Sequence, residues 1–176
     1  MSTPPNPEGQ QPEAPQRKVP RIPELAGATS APFQLSGPVT QVAIAVQEPT
    51  GPASAGAEEL ANWEPRRVFL NIEQVLCETG SPPIEVYLNV PANDKPQEHP
   101  ELRAGSLPMF GLREASIADE RHSPTGLDAQ LEVTRLYARL ALMNNFDPAR
   151  LHVSFVPRHG GNPPPVRVGR VSLYFA

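Results

Sequence analysis

Four histidines, His99, His122, His152 and His159, are the side chains best suited to bind a metal or relay a proton at neutral pH. Their spacing serves neither purpose. No HxxxH or HExxH pattern sets two imidazoles on one helix face. Three of the four fall in segments expected to be loops, and His152 is expected to face solvent from a strand, opposite Val153 and Phe155. His159-Gly160-Gly161 is similar to an esterase oxyanion loop, but no G-x-S-x-G accompanies it and a turn accounts for it better. The paired carboxylates Glu58/Glu59 and Asp119/Glu120 read as solvated loop residues, and Arg66/Arg67 and Arg167/Arg170 as surface charges. No glycine-rich phosphate cradle occurs. The single Cys77 excludes an internal disulfide and a cysteine-based zinc site, and reads as a small buried hydrophobe on a strand. A self-sufficient enzyme needs convergent, activated groups. None assembles here, so the chain reads as a binding, capping or structural domain.

The totals narrow the class further. A chain of 176 residues suits one domain of ordinary size with a tail. Its 24 prolines argue against a helical protein, since each costs about 3 kcal/mol inside a helix. A net charge of −4, with no long basic block, removes nucleic acid as a partner. No run reaches the ~18 apolar residues of a membrane span. The first residues show neither a charged n-region nor an apolar h-region, so a cytoplasmic location is expected.

The elements that must position any site are mostly strands. Residues 1–22 hold six prolines and almost nothing apolar, which predicts a disordered Pro-rich tail. Foldable sequence covers 23–176. Pro32–Ser36 and Val39–Val46 show β-type alternation, with Val42, Ile44 and Val46 on one face. Residues 47–65 form a long surface loop, with room for a helical turn at Ala57–Asn62. Val68, Leu70 and Ile72 alternate in the next run, and Ile84, Val86, Leu88 and Val90 give the cleanest half-buried strand. The apolar run Arg103–Leu112 is expected to pass through the centre of the fold, followed by a polar loop over residues 113–126. Leu127–Val133 is a further strand, stopped at Thr134 as a helix N-cap before a short helix bearing Leu136 and Leu140. Leu151–Pro157 and Val166–Phe175 are expected as a last strand pair joined by a hairpin loop. The sum is a mainly β fold: an antiparallel β-sandwich of seven or eight strands with one short helix.

The order of these segments carries a resemblance. Arg66-Arg-Val-Phe-Leu-Asn-Ile-Glu73, Ile84-Glu-Val-Tyr-Leu-Asn-Val-Pro91 and Arg103-Ala-Gly-Ser-Leu-Pro-Met-Phe-Gly111 follow one another. Leu131–Leu136, Leu151–Pro157 and Val168–Tyr174 complete the set. This succession resembles the C-terminal β-sandwich domain of tyrosinases, polyphenol oxidases and molluscan haemocyanins, the dinuclear copper proteins. Pro23–Ser30 is similar to the connector that leaves the copper domain in bacterial relatives.

The helical copper domain of that family, with its six histidines, has no counterpart here, and four histidines are too few to replace it. The resemblance therefore implies no copper cofactor in this chain and no transferred oxidase activity. It implies the role of the domain itself, a lid or assembly partner for a dinuclear copper phenol oxidase carried on another chain. In relatives such a domain inserts an apolar placeholder side chain that blocks bulky phenols. Aligned on its glycines, Gly105–Gly111 is similar to the strand that carries the placeholder, which nominates Phe110, flanked by Met109 and Leu112. Phe110 as a plain core residue is the competing reading. A free-standing β-sandwich adaptor or ligand-binding module, unrelated to copper, and one piece of a longer or split oxidase are the functional alternatives.

Overall fold

The computed structural model describes residues 22–47, 67–118, 123–143, 146–158 and 164–176. The proposed tail up to residue 21, the helical turn at Ala57–Asn62, both carboxylate pairs, His122 and His159 lie outside those residues. Ten strands run through the described part. They are β1 (Glu24–Ala28), β2 (Phe33–Leu35), β3 (Thr40–Ala45), β4 (Val68–Val75), β5 (Ile84–Leu88), β6 (Arg103–Leu107), β7 (Leu127–Glu132), β8 (Arg150–Pro157), β9 (Val166–Val168) and β10 (Arg170–Phe175). Two short helices, α1 (Leu112–Ser116) and α2 (Thr134–Ala141), and two 3-10 turns, Pro96–Glu98 and Pro100–Leu102, join them.

The strands pair throughout in the antiparallel sense. One sheet has the order β1-β10-β4-β7, the other β3-β8-β5-β6, and β2 and β9 form a separate short ladder. Period-two alternation turns one face of each sheet inward. Leu70, Ile72, Val171 and Leu173 from the first sheet meet Ile44, Val86, Leu88, Val153 and Phe155 from the second, all buried. Full burial of a Leu, Ile or Phe stabilises by roughly 1.5–3 kcal/mol each, so this layer carries most of the fold. The mainly β sandwich expected from the sequence is the fold observed.

Several local expectations are corrected. β8 and β10 are not a hairpin: β8 pairs with β3 and β5, β10 with β1 and β4, so the two strands lie in different sheets. The run Val166–Phe175 is not one strand either. It breaks at Gly169, whose N–H donates to the carbonyls of Glu73 and Gln74. A Cβ at that position would lie 2.7 Å from the Cβ of Gln74, so only glycine allows the approach. Thr134 is the first residue of α2 rather than its cap. Its Oγ1 accepts the N–H of Val68 at 2.9 Å and so ties the helix start to β4. The start of the expected polar loop over residues 113–126 belongs to α1. The run Arg103–Leu112, expected at the centre of the fold, forms β6, an edge strand of its sheet that stops at Leu107. His152 is half-buried, with its N–H bound by the side-chain carbonyl of Asn89.

Candidate functional site at the Phe110 turn

Between β6 and α1 the chain needs only Pro108-Met109-Phe110-Gly111 to reverse direction. Proline ends the strand because it has no N–H to give the ladder. Gly111 adopts φ 76° and ψ 0°, a left-handed conformation that glycine takes without strain, and this starts the helix. Leu107 on one side is 3% exposed and Leu112 on the other 0%. Met109 is half-buried against the same core. Phe110, between these anchors, is 97% exposed.

The turn is pinned from below. The N–H of Leu112 donates to the Met109 carbonyl at 3.3 Å. The Ser116 hydroxyl donates to the Leu112 carbonyl at 2.6 Å and accepts the N–H of Cys77 at 2.7 Å. α1 is thereby fastened to the segment that leaves β4. Gly126 adds a second tie, its N–H donating to the Ala115 carbonyl. The result is an aromatic ring in solvent on a backbone that is fixed on both sides. Of the three residues nominated from the sequence, Phe110 is presented, Met109 is shared, and Leu112 belongs to the core.

The placement within the molecule is also defined. Glu24 of β1 and Val68 of β4 both sit opposite Phe175 of β10. Cys77, which holds α1, follows the other end of β4. The Phe110 turn is therefore at the end of the sandwich away from the first and last strands' outer ends.

Elsewhere the described residues hold a cleft and two polar clusters. No group of three or more His, Cys, Asp or Glu converges among them as a metal site. A shallow cleft of about 420 Å³ is lined by Gln74, Leu76, Pro124, Thr125, Asp128 and Arg167. Asp128 there accepts the N–H of Gln74 at 2.7 Å, which supports the irregularity in β4 and gives the carboxylate a structural task. At the base of β6, Tyr87 donates its hydroxyl to Glu85 at 2.8 Å, and Arg103 lies 3.4 Å from the same carboxylate. Burial, reinforced by that hydrogen bond and by the charge of Glu85, pushes the Tyr87 phenol up to about 12. His99 stands between Asp94 and Glu101, an arrangement that metal spacings do not reveal. Its sequence signal is the pair Pro96 and Pro100, which fold the intervening chain into tight turns.

Comparison with known proteins places this architecture. The model of a family described as Domain of unknown function (DUF7868) matches residues 22–176. The chain belongs to the DUF7868 family. The DUF7868 domain is also similar to the tyrosinase HcTyr1 of Hahella sp. (strain CCB-MM4), 26% identical over 162 residues, which are 90% of this chain and 33% of the tyrosinase. Among solved structures it matches a recombinantly expressed latent aurone synthase (polyphenol oxidase) with a TM-score of 0.51 and 17% identity, over 84% of this chain and 26% of that one. A latent apple tyrosinase matches with a TM-score of 0.47 and 17% identity, over 82% and 27%. The chain thus spans about a third of the tyrosinase and a quarter of the polyphenol oxidases. That partial coverage fits a C-terminal β-domain of the tyrosinase type.

Proposed function

We propose that this DUF7868 domain is a non-catalytic lid that covers the entrance of a dinuclear copper phenol oxidase, with Phe110 as the plug. The observation that carries it is the exposure of the Phe110 ring, 97%, on a turn whose two flanking leucines are locked in the core. An isolated exposed aromatic forgoes roughly 1.5–3 kcal/mol of burial, which a partner's apolar pocket recovers. The likeness to a tyrosinase, and to a polyphenol oxidase described as latent, supports a copper oxidase as that partner. The copper pair itself belongs to the partner. Four histidines are fewer than the six of a tyrosinase copper pair, and the His99 ring is already engaged by Asp94 and Glu101.

The reading is tested by adding the purified domain to the copper-containing part of the tyrosinase relative. Association and slowed oxidation of a bulky phenol are expected. Phe110→Ala should bind but release the block. Absence of association, together with identical rates for the native and Phe110→Ala domains, would refute the lid.

A further inference from the structure

The connection from β5 to β6 folds back on itself through its two 3-10 turns, and His99 is the hinge they share. It is the C-cap of Pro96–Glu98 and the N-cap of Pro100–Leu102. Its own N–H donates to the Pro96 carbonyl at 3.0 Å, and its carbonyl accepts the N–H of Leu102 at 3.0 Å. Pro96 and Leu102 are the buried anchors of the two turns. The imidazole meanwhile reaches both ways along the loop. Nε2 lies 2.9 Å from Asp94 Oδ2 and Nδ1 3.1 Å from Glu101 Oε1.

A neutral imidazole has one N–H and one lone pair, so it can satisfy only one of two carboxylates. The other would then face a lone pair at contact distance. Only the imidazolium donates to both. From this geometry we infer that His99 is a pH-operated latch, closed by the imidazolium across Asp94 and Glu101, that fastens the β5–β6 connection and hence the start of β6. The remaining charge that bears on it comes from α2, where Arg139 donates to the Glu101 carbonyl and adds a cation near the same carboxylate. Lys95 and Glu98 flank the cluster along the loop. The hydrogen bonds to Glu101 and then Asp94 raise the pKa of His99 above its ordinary value, and Glu101 is held below its own first by a hydrogen bond from its backbone N–H and then by His99. The sign follows. With the folded value above the open-loop value near 6.5, the latch is fully closed below that pH and releases as pH rises through the raised value. This device does not depend on the lid reading.

The test uses the full chain. Ring nitrogen shifts of His99 are followed by NMR from pH 5 to 9, with hydrogen exchange of the His99 and Leu102 amides corrected for intrinsic rates. His99 should titrate above the ordinary histidine value. Protection of both amides should fall about two- to fivefold across the same step, the scale of an exposed ion pair. Asp94→Asn and Glu101→Gln should each bring the titration down, and His99→Gln should remove the pH step in protection. An ordinary titration value, or protection that stays level while His99 loses its proton, would overturn the latch.

Discussion

Phe110 and Leu112 are separated by a single glycine, yet one ring is 97% exposed and the other side chain 0%. Gly111 makes the inversion possible, because its left-handed backbone turns the chain sharply enough to send neighbours in opposite directions. Replacing the two residues should therefore have opposite consequences. Leu112→Ala should lower stability by about 2–5 kcal/mol, the range for truncating a buried leucine. Phe110→Ala should stay within about 0.5 kcal/mol of the native domain, as surface changes do. Denaturant unfolding of the two variants decides it, and comparable losses would show that the ring packs on the domain itself.

The Ser116 hydroxyl serves as donor and acceptor at once, to the Leu112 carbonyl and from the Cys77 amide. Ser116→Ala leaves the buried N–H of Cys77 without a partner, which costs about 1–3 kcal/mol. The same change frees α1 from the strand end below it. Hydrogen exchange should show protection lost at the Cys77 amide first, with the amides of β8 unaffected. Uniform loss across the sandwich would mean that Ser116 supports the global fold rather than this corner.

Tyr87 supplies a pH signature. With its phenol raised from the model-peptide value of 10 to about 12, the folded state keeps a proton that the unfolded chain releases. The associated stability is complete below pH 10 and declines as pH climbs from 10 towards 12. Ultraviolet titration should show one tyrosine ionising near 12 that Tyr87→Phe removes. Glu85→Gln should bring that transition down, because it takes away the carboxylate charge that disfavours the phenolate. A set of tyrosines that all ionise near 10 would contradict the burial.

The strands that were legible in the sequence are those with one wet face. Val42, Ile44 and Val46 alternate cleanly, and so do Val68, Leu70 and Ile72. Alternation does not name a partner, however. Leu151–Pro157 and Val166–Phe175 look like a hairpin by proximity, and only the core decides that they enter different sheets. Tyr87 shares a face with Glu85 and is still buried, because the carboxylate accepts its hydroxyl. At Gly169 the strand is interrupted by the irregular backbone of Gln74, a residue far away in sequence with φ 54°. The exposure of Phe110 was equally hidden. In an apolar run, composition cannot tell an inward ring from an outward one, and the fixed turn around Gly111 settles it.

The two outer ends of the fold have a mechanical consequence. The terminal strands β1 and β10 lie side by side with Glu24 opposite Phe175, while the Phe110 turn is at the far end of β4. An eight-residue strand such as β4 is about 25 Å long. A rigid attachment directly before β1 or after β10 would grip the domain at its base and leave the ring at the tip of a stiff boom. A rotation of about 10° at that base would sweep the ring through roughly 4 Å, given the length of the strand. Swinging Phe110 into or out of a pocket would then require movement only where the domain is held, with every strand in the sandwich left in register.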